Sequence, residues 1–239
     1  MNRRYMIGTG YHPNAKTPIA AHAFAEVWRD CVVRNATEGL EKITILGCAD
    51  DGANRTRSMV GLDYINATGD LGHIHDKAQG KNNHYITGWA GAMLALAMLA
   101  YNDLCDFIYQ EQDCLAFGDY VGELYKDLGE GMACFGRGLR TMPRMRATQS
   151  LFIVRHCHIP LFVRDYLDLG EDKNTYQHTN GAFGEVKTAM LHEKDIMTYR
   201  LCGDWNYDRD RPVDFGRPVF AFQQVTHDEF NTLKSMGLL

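Results

Sequence analysis

The sequence predicts an α/β fold in which helices cover both faces of a mostly parallel sheet. The first observation is alternation: short apolar, β-branched runs are separated by segments whose apolar residues recur at helical spacing. Strand–helix–strand order favours parallel pairing, because each crossover returns the chain to the same edge of the sheet. The second observation is that several predicted strands end abruptly in glycine or in acidic residues, where α/β folds bind ligands.

The first half of the chain contains the clearest elements. Thr17-Pro18 opens the first helix, since threonine is a good N-cap and proline suits the first turn. A second, nearly all-apolar helix includes Trp89 to Tyr101. This run of about 13 residues is predicted to be a core helix, because a span across a bilayer takes about 20. Strands are predicted over residues 4–9, 42–48, 62–67 and 105–110.

The second half of the chain is less regular. Residues 149–156 are apolar and fit either a strand or the start of a helix. Thr226 followed by Glu229 matches a capping box, so a C-terminal helix is predicted to begin there. The other predicted elements are helices over residues 120–128, 160–169 and 185–192, and strands over residues 132–135 and 218–222.

Composition limits the class of protein. The 239 residues carry a net charge of −5, and the pI is near 6.0. This balance argues against a nucleic-acid partner but leaves room for a local phosphate pocket. The seven cysteines form no CxxC pair, a pattern typical of reduced thiols. With no signal peptide or membrane-spanning run in the sequence, we expect a soluble, cytoplasmic protein of one domain.

Glu111 and Asp113 are the strongest candidate functional residues. They follow the most apolar predicted strand, and burying carboxylates costs several kcal/mol unless a partner compensates them. Residues i and i+2 of an extended strand point to the same face, so both acids are predicted to face one site. Carboxylate oxygens suit Mg²⁺ and Mn²⁺, which often bridge to substrate phosphates. The alternative interpretation is a pair of solvated acids at an edge turn.

The order of the motifs resembles that of GT-A-type glycosyltransferases, which use nucleotide-sugar donors. The matching segments fall in order within residues 4–120: Ile7-Gly8-Thr9-Gly10, Asp50-Asp51-Gly52, Gly80-Lys81-Asn82-Asn83 before the alanine-rich helix, and Glu111-Gln112-Asp113. The last segment replaces an Asp-x-Asp motif and has glutamate as its first acid. The resemblance implies a Rossmann-type three-layer sandwich forming one domain over residues 1–239. Residues 1–120 would bind the nucleotide-sugar and metal, and residues 121–239 the acceptor.

The resemblance also implies a divalent cation, Mn²⁺ or Mg²⁺, and roles for donor-side residues. Asp113 would be the main metal ligand, bridging the cation to the donor diphosphate, and Glu111 would bind the metal or the ribose. His227 follows the last predicted strand, where some members of the class contribute a third metal ligand. The residues that would lie near the donor are Gly8, Thr9, Gly10, Asp50, Asp51, Lys81 and Asn82.

A catalytic base is expected in the second half of the chain. In inverting members of the class, a carboxylate deprotonates the acceptor hydroxyl, which belongs to a carbohydrate or another alcohol. Glu185 follows a glycine at a predicted helix start and resembles the position of such an acid somewhat better than Glu171 and Asp172 of the polar loop. A helix-capping or solvated role is the alternative for each acid. The resemblance thus implies a hexosyltransferase-like enzyme.

Three weaker patterns have an ordinary structural interpretation as well. His156 and His158 would form a metal pair if the segment were extended. Trp205 and Tyr207 could stack on a sugar ring. Arg137 belongs to the one basic cluster, which could hold a phosphate or an anionic acceptor. Packing, capping or solvation explains each pattern at least as well.

Three other functions fit parts of the sequence. An S-adenosylmethionine-dependent methyltransferase could bind its cofactor at residues 7–11, with Asp50 or Asp51 on the ribose, but leaves Glu111 and Asp113 unexplained. A sugar-phosphate nucleotidyltransferase shares the sheet and the acids but usually has a longer glycine-rich, lysine-containing first loop. A non-catalytic sugar-binding domain predicts no dependence on divalent cations.

Overall fold

A mixed β-sheet forms the centre of the molecule. The computed structural model describes residues 3–11, 21–36, 38–48, 63–67, 88–138, 146–169, 183–207 and 212–239. The strands of the central sheet are β1 Tyr5–Tyr11, β2 Leu40–Cys48, β3 Asp63–Ala67, β4 Asp106–Gln110, β6 Ala133–Arg137, β7 Ala147–Val154 and β8 Tyr199–Leu201. They lie side by side in the order β3-β2-β1-β4-β7-β6-β8.

The central sheet is mostly parallel, as predicted. The neighbours β3, β2, β1 and β4 are parallel to one another. Strand β7 is antiparallel to both of its neighbours, β4 and β6, and β8 is parallel to β6. Among the described strands of this sheet, β7 is therefore the one that runs against the others.

Helices cover both faces of the sheet, which confirms the three-layer arrangement. The helices are α1 Ala21–Asn35, α2 Gly88–Asn102, α3 Tyr120–Leu128, α4 Ile159–Asp168, α5 Phe183–Lys194 and α6 His227–Ser235. Buried side chains of α1, α3 and α6 share one apolar cluster with one face of the sheet. Those of α2, α4 and α5 share a second cluster with the other face. None of the described helices is long and apolar enough to cross a bilayer.

Strand β4 shows why the strands of the central sheet contain continuous runs of apolar residues. Phe107 and Tyr109 belong to the cluster under α2, whereas Ile108 between them belongs to the opposite cluster. Successive side chains of a strand point to opposite faces, so a strand covered on both faces needs apolar residues at every position. The rings of Phe107 and Tyr109 lie 5.9 Å and 5.4 Å from the ring of Phe152 on neighbouring β7.

Two glycines of β1 allow α2 to pack closely on the sheet. A Cβ atom on Gly8 would lie 3.1 Å from Phe107 Cε2 and 3.2 Å from Leu96 Cδ1. A Cβ atom on Gly10 would lie 3.1 Å from the Cβ of Ala92. These distances are shorter than ordinary carbon–carbon contacts. The small residues of β1 and α2 therefore set the distance between the sheet and this helix.

A second, smaller sheet joins distant parts of the chain. It consists of β5 Cys114–Phe117, β10 Phe220–Gln223 and β9 Asn206–Tyr207, in the order β5-β10-β9. Strand β10 is antiparallel to β5 and parallel to β9. Because β5 begins directly after Asp113, this pairing brings the C-terminal segment beside the acids predicted to form the site.

The predicted capping box is confirmed at the start of α6. The hydroxyl of Thr226 accepts a hydrogen bond from the backbone N–H of Glu229 at 3.3 Å. In return, the backbone N–H of Thr226 donates to Glu229 Oε2 at 2.9 Å. The pair satisfies two donors that the first turn of a helix otherwise leaves without partners.

Candidate active site

The candidate site lies at the carboxyl edge of the parallel strands. Strands β1, β2, β3 and β4 are parallel neighbours, so all four end at one edge of the sheet. Ligands bind outside the carboxyl ends of strands in open α/β sheets. Gly10 lies near the end of β1, and Glu111 follows the last residue of β4. Asp50 and Asp51, which follow the end of β2, lie outside the described residues.

Glu111 and Asp113 occupy a tight turn between β4 and β5. Gln110 is the last residue of β4 and Cys114 is the first of β5. The backbone N–H of Cys114 donates to the carbonyl of Glu111 at 2.9 Å, which closes a four-residue turn. The sequence predicted that the acids continue an extended strand, and this geometry was wrong. The chain turns here because β4 belongs to the central sheet and β5 to the second one.

The two carboxylates nevertheless meet at one point, the side-chain amide of Gln223. Gln223 Nε2 donates to Glu111 Oε2 and lies 3.4 Å from Asp113 Oδ1. The backbone N–H of Gln224 donates to the carbonyl of Asp113 at 3.1 Å. Both acids are partly buried, and Gln223 is 5% exposed. We call the turn from Glu111 to Cys114 the acid turn. The end of β10 holds this turn through both a side chain and the backbone.

A row of buried polar side chains continues from this amide into β7. Ser150 Oγ donates to Gln223 Oε1 at 2.9 Å and lies 2.7 Å from Thr148 Oγ1. The carbonyl of Ser150 also accepts the backbone N–H of Glu111 at 2.7 Å. Functional roles for Gln223, Ser150 and Thr148 were not predicted from the sequence. The available signal was polar residues inside or at the end of otherwise apolar strands, as in Phe220–Gln223.

Gln110 adds a second amide directly before the acid turn. Its Nε2 donates to the carbonyl of Cys114 at 2.9 Å, which braces the turn from the strand side. Gln110 is fully buried, and its Oε1 has no hydrogen-bond partner among the described residues. An acceptor buried in this way is costly unless a donor reaches it. The turn is therefore supported by two glutamines, of which Gln223 contacts the carboxylates.

The predicted donor-binding residues of β1 have packing roles in the structure. Gly8 is buried against α2, and Thr9 is 1% exposed, with its hydroxyl donating to the carbonyl of Gly10 at 3.2 Å. The backbone N–H of Gly10 donates to Tyr109 Oη at 3.4 Å. Gly10 is partly exposed at the carboxyl edge, the position where a ligand could approach. Donor binding by these three residues stays a prediction.

The carboxylates suit a hard divalent cation by their chemistry. Glu111 and Asp113 present oxygen ligands and share one amide nitrogen. His227 is exposed at the start of α6, four residues after Gln223. Among the described side chains, no group of three or more His, Cys, Asp and Glu residues could hold a metal ion. The structure thus brings together two of the predicted ligands, and the role of His227 stays a prediction.

Three solved structures that are similar to this one carry the names of sugar transferases. Mouse xyloside xylosyltransferase 1, in its apo form, has a TM-score of 0.51 and 10% identity, over 95% of this chain and 99% of that chain. The galactosyltransferase LgtC, in complex with donor and acceptor sugar analogues, has a TM-score of 0.53 and 13% identity over 98% and 94%. A putative nucleotide-diphospho-sugar transferase from Desulfovibrio desulfuricans G20 has a TM-score of 0.52 and 11% identity over 84% and 80%.

The chain has the GT-A-type fold. At 10–13% identity these likenesses show the fold alone. No protein-family model matches the sequence, and no curated protein matches it.

The residues predicted to bind the acceptor and the donor are described only in part. Glu185 lies in the first turn of α5, and its side chain is outside the described residues, as are Glu171, Asp172, Lys81 and Asn82. Two residues further along α5, Lys187 is 4% exposed and donates to the carbonyl of Tyr166 at 3.1 Å. Burial lowers the pKa of Lys187 to about 8.

The histidine pair and Trp205, two of the weaker sequence predictions, have structural roles. His156 to His158 form a 3₁₀ turn, and the ring of His156 stacks on Tyr101 with centroids 5.1 Å apart, so the segment is not extended as a metal pair would need. Trp205 is 7% exposed, and its Nε1 donates to Asp127 Oδ2 at 2.8 Å, which places this indole in the core. A sugar cannot stack on a ring that the core already covers.

Proposed function

We propose that this protein is a metal-dependent glycosyltransferase that moves a sugar from a nucleotide-diphosphate donor to an acceptor hydroxyl. The observation that carries the proposal is the acid turn: two carboxylates share one amide nitrogen at the carboxyl edge of a GT-A-type sheet. Acids placed together at this edge suit a cation that bridges to phosphate oxygens. A methyltransferase gives such a pair no role.

On the donor side, Asp113 is the proposed main ligand of Mn²⁺ or Mg²⁺, with Glu111 as a further ligand or a ribose contact. His227 is the proposed third ligand, and its imidazole would have to join the two acids when the cation binds, because no three such residues form a metal-binding group among the described side chains. When bound, the cation would stabilise the negative charge that develops on the departing nucleoside diphosphate. The chain's own contribution is to hold the carboxylates at a defined point before the donor arrives.

The remaining donor contacts are proposed around the same edge. Gly10 lies near the end of β1, between the ends of β2 and β4, and is partly exposed there, so a ligand could reach its backbone at this edge. Gly8 and Thr9 would support that position from within the strand. Asp50 and Asp51 follow β2, and we propose that they bind the base or ribose, with Lys81 and Asn82 near the donor.

On the acceptor side, Glu185 is the proposed catalytic base. It lies in the first turn of α5, a helix whose next turns pack on the sheet through Ala189 and Leu191. A base on a rigid element can be held at hydrogen-bond distance from the acceptor hydroxyl. Glu171 and Asp172 are the other candidates, and substitution of each acid by its amide would identify which one the rate requires.

Thermal shifts with UDP, GDP, CMP and S-adenosylmethionine, each with and without Mn²⁺, test the proposal. A ligand present at 100 times its Kd adds about 2.7 kcal/mol, which raises the Tm of a domain of this size by about 5–10 °C. We expect one nucleoside diphosphate to raise the Tm only when Mn²⁺ is present. Stabilisation by S-adenosylmethionine alone, or equal stabilisation by nucleotides without metal, would contradict the proposal.

A further inference from the structure

We propose that Gln223 is a positioning residue that holds Glu111 and Asp113 in the arrangement that a cation requires. This inference rests on the proposed function and goes one step beyond it, from the residues that bind the cation to the one that arranges them. It starts from the observation that a single buried amide contacts both carboxylates.

The orientation of the amide follows from its partners. Ionised carboxylates only accept hydrogen bonds, so the NH₂ group of Gln223 must face Glu111 and Asp113. The carbonyl oxygen of the same amide then faces Ser150, whose hydroxyl donates to it at 2.9 Å. A flipped amide would bring its oxygen against two carboxylates, which would be repulsive. The hydroxyl and the carboxylates therefore favour the same orientation.

The position of the amide is fixed as firmly as its orientation. Gln223 pairs with Cys114 in the antiparallel ladder of β10 and β5, so its backbone is anchored beside the acid turn. Thr148 Oγ1 lies 2.7 Å from Ser150 Oγ, and the backbone N–H of Ser150 donates to Thr148 Oγ1 at 3.2 Å. Strand β7 thereby orients the hydroxyl that orients the amide.

Strand β7 also contacts the backbone of the acid turn directly. The backbone N–H of Glu111 donates to the carbonyl of Ser150 at 2.7 Å, so one residue of β7 contacts both the turn and the amide. Two carboxylates that approach each other repel, and a shared donor offsets part of that repulsion. Residues that orient metal ligands in this way typically change the metal affinity 10–100-fold when they are removed, so we expect about that range here.

The experiment compares Gln223→Met with Gln110→Met. Both substitutions remove a buried amide at the same turn and keep a similar side-chain volume, but Gln110 donates to the carbonyl of Cys114 and not to a carboxylate. Mn²⁺ alone is titrated into each protein, free Mn²⁺ is measured by electron paramagnetic resonance, and Tm is measured without metal. We expect Gln223→Met to raise the Kd for Mn²⁺ about tenfold or more, and Gln110→Met less than about threefold.

Ser150→Ala provides a second variant that keeps both carboxylates and the amide. It removes the hydroxyl that orients Gln223, so we expect an intermediate rise in the Kd for Mn²⁺, about threefold, together with a lower Tm because the buried carbonyl oxygen of Gln223 loses its donor. This variant keeps the inference testable if Gln223→Met does not fold.

The outcomes separate the two proposals. Equal rises in Kd for Gln223→Met and Gln110→Met, in proportion to their losses of Tm, would show a merely structural role and overturn the inference. Unchanged Mn²⁺ binding in Gln223→Met would do the same while leaving the proposed function intact. A wild-type protein that binds no Mn²⁺, with or without a nucleoside diphosphate, would contradict both.

Discussion

Glu111 and Asp113 share a partner, so neither acid can be changed without altering the surroundings of the other. The amide of Gln223 contacts both carboxylates, and Gln224 holds the backbone of Asp113 at 3.1 Å. Residues in one hydrogen-bonded network show coupled, non-additive effects on substitution. We therefore expect substitution of both Glu111 and Asp113 to reduce the free energy of Mn²⁺ binding by less than the sum of the two single reductions.

Asp113→Asn should abolish the Mn²⁺-dependent thermal shift with a nucleoside diphosphate, because an amide oxygen replaces the anionic ligand. We expect the Tm without metal to stay the same or to rise slightly, since one of two neighbouring negative charges is lost. The control is Asp30→Asn, which removes the same charge from an exposed position on α1. Persistence of the full shift in Asp113→Asn would show that this residue is not the metal ligand.

At the scale of elements, close packing between β1 and α2 explains why β1 contains small residues. Gly8 and Gly10 face Leu96 and Ala92, and a Cβ on either glycine would meet atoms at 3.1–3.2 Å. The same glycines were identified in the sequence as part of a donor-binding motif. Packing alone requires them, so their presence is weak support for that role. A substitution can separate the two explanations.

Gly8→Val should lower the free energy of unfolding by about 1–3 kcal/mol, the usual cost of overpacking a dense core. Urea denaturation would measure this loss. Ala95→Val is the control, because it adds the same branched side chain at an exposed position of α2 and should cost less than about 1 kcal/mol. A Gly8→Val protein of unchanged stability that has lost its nucleotide-dependent shift would assign Gly8 to the site and not to packing.

The capping box of α6 also belongs to this scale, since it fixes where the helix after β10 begins. Thr226→Ala should lower the free energy of unfolding by about 1 kcal/mol in urea denaturation. Thr232→Ala is the matched control: this hydroxyl donates to the carbonyl of Asp228 inside the helix, where alanine is the better helix former. Equal losses for both variants would contradict a specific capping effect.

At the scale of the whole molecule, one buried lysine links stability to pH. Lys187 belongs to α5, its ammonium lies 4.6 Å from the centre of the Tyr166 ring on α4, and burial lowers its pKa to about 8. In the unfolded chain Lys187 has the ordinary lysine pKa of about 10.4. Between these two values the unfolded chain binds a proton that the folded protein has released. The free energy of unfolding therefore rises with pH across this window.

Comparison of wild type with Lys187→Met should isolate this contribution. We expect the stability of wild type to rise relative to the variant by up to about 3 kcal/mol between pH 7.5 and 10.5, since one pKa unit corresponds to about 1.4 kcal/mol. Lys234→Met, at an exposed position of α6, should retain the wild-type rise. Parallel pH profiles for wild type and Lys187→Met would show that the pKa of Lys187 is not lowered.

Local patterns in the sequence were sufficient to predict most of the elements. The strand predicted over residues 42–48 is Leu40–Cys48, the strand over 105–110 is Asp106–Gln110, and the helix over 120–128 is Tyr120–Leu128. These elements can be predicted because a strand buried on both faces is a continuous apolar run, and a helix buried on one side has apolar residues at helical spacing. Strand β5 was missed, because four residues after a turn carry too little periodicity.

The sequence alone determined that this chain is an α/β protein and that two acids follow the end of an apolar strand. Both are local properties of neighbouring residues. Only the tertiary structure decided that the acids lie in a turn and meet Gln223, which is 112 residues from Glu111 and 110 from Asp113. Strand pairing at such a separation depends on how all the elements pack together, and one short segment does not encode it. The sequence therefore indicated the carboxylates, and the fold supplied the amide that holds them together.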